Sequence, residues 1–163
     1  MDKNKATFEA LLFQAEASGL DKVETMAFLS NQGVPLEVIT RMDSLWEQTV
    51  MVANQVLHIG KIIIMKLIQF IKENPNMIIG LAIGLGLGML SASVPFIGNF
   101  IAPIVTVAFS TIFVLKGHRL DKTMKGEYIG DSLIEDTIII IKKFWSFFYE
   151  IFNAVVIEPI VAG

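Results

Sequence analysis

Apolar residues recur at three- and four-residue steps near the start of the chain, at Phe8, Leu11, Leu12 and Ala15, before Gly19 interrupts them. That spacing predicts a short helix with glycine at its C-terminal end. Asp21 followed three residues later by Glu24 has the form of a capping box, so a second helix is expected through Phe28 and Leu29, stopping near Asn31, Gln32 and Gly33. Pro35 suits the first turn of a third helix. From there to residue 73 the only glycine is Gly60 and no further proline occurs, which predicts one long helix bent at Gly60.

That helix changes character midway. Up to Glu47 it is charged, but from Val50 onward its polar residues shrink to a stripe of Asn54, His58, Lys61, Gln69 and Lys72. An apolar face this wide is expected in the headgroup region of a bilayer or packed in an oligomer, with lysines reaching for phosphates.

Asn74, Pro75 and Asn76 then break the helix and restart it. Residues 74–115 contain no Asp, Glu, Lys or Arg. A stretch of 42 residues is about twice what one membrane-spanning helix needs. The expectation is a transmembrane hairpin, with a first span over residues 77–93, a turn built from Pro95, Gly98 and Asn99 with nearby serines, and a second span over residues 100–115. The first span measures about 26 Å, short of a hydrocarbon core of roughly 30 Å, so local thinning or a shallower re-entrant hairpin fits too. After a basic loop at residues 116–130, a second amphipathic helix is expected within residues 131–163. It sets Lys142, Lys143, Ser146, Tyr149, Glu150 and Asn153 against Ile138, Ile141, Phe144, Trp145, Phe148, Ile151, Phe152 and Val155. A third span there would bury Lys142, Lys143 and Glu150, each at about 2.5 to 3.5 kcal/mol.

The predicted class is therefore all-α, with a helical docking region at 1–47, an amphipathic helix at 48–73, the hairpin at 74–115, a basic loop at 116–130 and a C-terminal interfacial helix at 131–163. Composition agrees: 53% of residues are hydrophobic and 18% charged. Both ends are acidic, but Lys61, Lys66 and Lys72 precede the hairpin and Lys116, Arg119, Lys122 and Lys125 follow it. Basic flanks favour the cytoplasmic side, which places both termini in the cytoplasm of a bacterial-type inner membrane or plasma membrane. Lys61, Lys66, Lys72, Lys116, Arg119, Lys142, Lys143 and Trp145 are the expected anchors at the membrane interface.

Chemistry-bearing patterns are few. The chain has no cysteine, so disulfides and thiolate sites are excluded. His58 and His118 lack a second ligand at helical spacing, and no phosphate-binding glycine loop is present, so neither a metal, a cofactor nor an enzymatic activity is expected. Residues 23–42 loosely match a helix-turn-helix, but Arg41 is the only basic residue within them and Lys22 the only one beside them, so no nucleic-acid partner is expected.

The most specific pattern is Gly80, Gly84 and Gly88 at four-residue spacing, a small-residue stripe along which helix backbones approach closely. It serves either self-association or packing of the first span on the second. With the lipid bilayer and a second copy of the chain as partners, the expected function is a homo-oligomeric channel or pore. The alternative is a non-catalytic scaffold, anchor or subunit of a larger membrane complex, whose residues 1–47 recruit a helical protein.

Overall fold

The N-terminal helices form where the apolar spacing places them. In a computed structural model, which describes residues 1–75, 79–108 and 129–155, α1 is Lys3–Ala17, α2 is Lys22–Asn31 and α3 is Leu36–Trp46. Asp2 caps α1 by accepting the backbone N–H groups of Asn4 (2.7 Å) and Lys5 (3.0 Å). These bonds, Lys5 first, hold its carboxyl below the usual aspartate range. Asp21 caps α2 through the Glu24 N–H at 2.9 Å.

The single long helix expected from residue 35 is not formed. After Trp46 the chain makes a β-hairpin, β1 (Val50–Val52) paired antiparallel with β2 (Gln55–Leu57), in the register Val50 to Leu57 and Val52 to Gln55. Its two loop residues, Ala53 (φ 51°) and Asn54 (φ 62°), both lie in the left-handed region, as a type I′ turn requires. Val50 and Val52 are buried with Met51 between them less so, a period of two that overrides helical continuation. The expected amphipathic helix therefore begins only at Ile59: α4 is Ile59–Glu73.

The charge-free run forms α5 (Ile79–Ser93) and α6 (Pro95–Ala108), and α7 is Ile129–Ala154. The described chain is thus mostly helical. Helix contacts arrange it as two layers of three: α1, α4 and α3 in the first, α7, α5 and α6 in the second, with α1 on α7, α4 on α5 and α3 on α6. The short α2 packs beside α3. The core runs through both layers, from Leu45, Ile62, Ile63, Leu67 and Phe70 to Ile83, Leu87, Ile101, Trp145 and Ile151, all buried. Burial on nearly every side explains why α4 is so apolar: it is an interior helix of the bundle.

Gly60, the supposed bend, is where α4 crosses the end of α3. Its N–H donates to the Gln48 carbonyl at 3.2 Å, and a side chain there would collide with the Leu45 carbonyl. Gly60→Ala is expected to cost about 3 kcal/mol, the upper end for overpacking, in a denaturant titration. Ala53→Gly, which relieves the left-handed strain, should stabilise by about 0.5 to 1 kcal/mol in the same titration.

Candidate functional site

The chemically distinctive part of the chain is the hairpin of α5 and α6, with the surfaces that cover it. No helix among the described residues is long and apolar enough to cross a membrane. The 15 residues of α5 and 14 of α6 give lengths of about 22 and 21 Å, and residues 76–78 and 109–115, which would extend them, lie outside the described residues. The break between the helices is at Val94, which is buried; Pro95 opens α6, and Gly98 and Asn99 sit within its first two turns rather than in a loop. The expected turn is corrected accordingly. The physical reason is that proline is at home in a helix's first turn, so it starts α6 five residues earlier than residue 100.

Gly86, Gly88 and Gly98 face other parts of the chain. Gly80 lies in the first turn of α5 and Gly84 is buried. A Cβ at Gly88 would stand 3.8 Å from Val105 of α6, one at Gly98 would stand 3.1 Å from the Ser91 hydroxyl of α5, and one at Gly86 would stand 3.5 Å from the Trp145 indole nitrogen of α7. Small residues thus bring α5 close to α6 and α7.

Trp145, expected at a bilayer interface, is fully buried beneath α5, edge-on to Phe144 and Phe148. Its indole N–H has no hydrogen-bond partner among the described residues, a cost of about 1 to 3 kcal/mol that the aromatic packing offsets. That cluster extends outward: Phe144 meets Phe70 of α4 at 5.0 Å, while Phe13 of α1 stacks on Phe148 (6.0 Å) and Phe152 (6.5 Å).

Three of the expected lysine anchors also point at the chain's own aromatics. The Lys61 ammonium lies 5.4 Å from the Trp46 ring centre, that of Lys66 4.4 Å from Phe13 and that of Lys72 5.2 Å from Phe28. Each such contact ties α4 to an N-terminal helix at about 0.5 to 1 kcal/mol. Lys142 and Lys143 are exposed, and Lys116 and Arg119 lie outside the described residues.

Residues 1–47, expected to recruit another protein, dock on this chain itself: α1 packs on α4 and α7, and α3 on α4 and α6. One tie was not foreseen. The Gln14 side chain accepts the His58 backbone N–H at 2.7 Å and donates to the ring Nδ1 at 2.9 Å, which puts the ring proton on Nε2 and fastens α1 to the start of α4. Lys22 bridges Asp43 and Glu47 of α3, both at 2.8 Å, and these hydrogen bonds, Asp43 first, raise its pKa.

At the other edge α3 meets α6. Arg41, Ser44, Leu45, Gln48, Asn99, Pro103 and Ile104 line a cleft of about 310 Å³. Pro103 has no N–H with which to close its turn back to Asn99. Outside the cleft, α7 presents exposed Ile139 (63%), Ile140 and Phe147 beside Lys142 and Lys143, and α1 presents Phe8 and Leu12. No group of three or more His, Asp or Glu residues that could hold a metal ion occurs among the described residues.

Comparison with protein-family models, with curated proteins and with solved structures found no match.

Because Gly86 sits against Trp145 at ordinary contact distance, Gly86→Ala should be close to neutral. Gly86→Leu should displace the indole, lowering stability by about 1 to 3 kcal/mol and shifting Trp145 emission to longer wavelength in a Trp46→Phe background.

Proposed function

We propose that this chain is a non-catalytic membrane-associating protein whose α5–α6 hairpin is its lipid-seeking element, packed against the chain's own amphipathic helices. The observation that carries this reading is the 42-residue run free of Asp, Glu, Lys and Arg, of which residues 79–93 and 95–108 form two helices packed on each other. In this reading the hairpin acts as an anchor or scaffold in the bilayer. The exposed Ile139, Ile140 and Phe147, interleaved with Lys142 and Lys143, supply a first contact for a bilayer surface.

A second reading is a homo-oligomeric channel in the same membranes. The exposed apolar residues of α7 favour it, since they offer one copy a face for another. The glycine stripe speaks less for it at Gly88, which already faces Val105 of this chain's own α6.

Flotation with vesicles of equimolar phosphatidylcholine and phosphatidylglycerol tests both. The first reading predicts that the chain floats, resists alkaline carbonate extraction and releases no trapped dye. Dye release together with a defined oligomeric mass would establish the channel instead. Failure to float would refute both.

A further inference from the structure

We propose that the outer face of α7 is a self-association surface, on which a second copy of this chain lays its own α7 antiparallel, with the seam centred at Ile139 and Ile140. The pairing belongs to the chain in water and does not depend on the hairpin's entry into lipid.

Residues 135–143 run as an acidic pair, Glu135 and Asp136, a threonine, four isoleucines and a basic pair, Lys142 and Lys143. Ile141 is buried, but Ile139 and Ile140 point outward, 63% and 42% exposed. All four charged side chains are exposed with them. Asp136, Ile139, Ile140 and Lys143 follow one another at steps of three and four, so they share one stripe of the helix, with Glu135 and Lys142 along its flank. The acidic and basic pairs are seven residues apart, about 10 Å along the axis, too far to meet within the helix. Three and four residues from each charge, towards the opposite pair, the helix holds only isoleucine. None of the four has an ion pair among the described residues.

A second α7 turned end for end supplies what each charge lacks. With the two-fold axis at Ile139 and Ile140, the acidic pair of each copy faces the basic pair of the other, and the isoleucines of both copies meet at the axis. The contact is isologous, so every charge pair in it occurs twice. Other arrangements of the same face are worse. Parallel pairing in register sets acid on acid and lysine on lysine. An antiparallel seam shifted to Lys143 sets that residue on its own copy and Asp136 opposite Glu150. A bilayer with anionic lipid attracts Lys142 and Lys143 but repels Glu135 and Asp136, whereas a second copy accommodates all four. The isoleucines supply affinity, and the charges select direction and register.

Sedimentation equilibrium of the full chain in lipid-free buffer tests the seam, and the unaltered chain should populate a dimer. Lys142→Glu with Lys143→Glu makes the face wholly acidic, and Glu135→Lys with Asp136→Lys makes it wholly basic. These positions are exposed, so the fold is spared, which circular dichroism checks. Each double variant alone should dimerise about tenfold more weakly or worse. An equal mixture of the two should recover the dimer, because acid then faces base at both ends of the seam. The chain has no cysteine of its own, so Ile140→Cys should form a disulfide with its own copy under mild oxidation, and Glu150→Cys should not. A monomeric unaltered chain would overturn the inference, as would a dimer that charge reversal leaves unchanged or that the mixture fails to restore. Flotation reads separately: a monomer that floats removes the seam and leaves the hairpin's role intact, while a dimer that does not float does the reverse.

Discussion

The pairing of α4 with α5 is the contact on which the rest of the bundle depends. Neither helix is presentable to water: Ile62, Ile63, Ile64, Leu67 and Phe70 are buried on α4, and Ala82, Ile83, Leu87 and Leu90 on α5. Each is apolar over most of its circumference, so neither is satisfied by a single neighbour. Set side by side at the centre of two layers, each is enclosed by helices that have one polar side to give to solvent. That requirement explains why α1, α3, α6 and α7 stand where they do.

Covering a helix as apolar as α5 demands close approach, and the glycines and aromatics meet that demand together. Gly86 leaves room for the indole nitrogen of Trp145, and Gly98 lets α6 lie against Ser91. Of the four-residue glycine stripe, Gly88 lies at contact distance from Val105 of α6. Packing within the bundle and a preference for lipid use the same apolar surface, so the molecule's behaviour depends on which contacts give way first.

Local features were legible in the residues wherever a side chain acts on its own neighbourhood. Asp21 with Glu24 announced α2, Pro35 the start of α3 and Pro75 the end of α4. The charge-free run was visible as such, and so was its folding as two helices. The β-hairpin was hidden because its loop is Ala53-Asn54, without the glycine that normally marks such a turn, and because Val50, Val52 and Val56 also fit an apolar helix face. The contacts of Trp145 and of Lys61, Lys66 and Lys72 with the chain's own aromatics were hidden for a different reason. Interfacial anchoring and burial against aromatics draw on the same residue types, and only the tertiary arrangement separates them. The Gln14 bond to His58 spans 44 positions, and no local pattern points to it.

The most direct test of this arrangement is the thiol reactivity of Ala82→Cys, a near-isosteric change on the buried side of α5, in the purified chain before any vesicle is added. Enclosure of the hairpin by the chain's own helices predicts that this thiol reacts far more slowly than in the denatured protein. Reaction at the denatured rate would show that α5 is not covered by α4, α6 and α7, and would contradict the two-layer bundle from which the functional proposal is drawn.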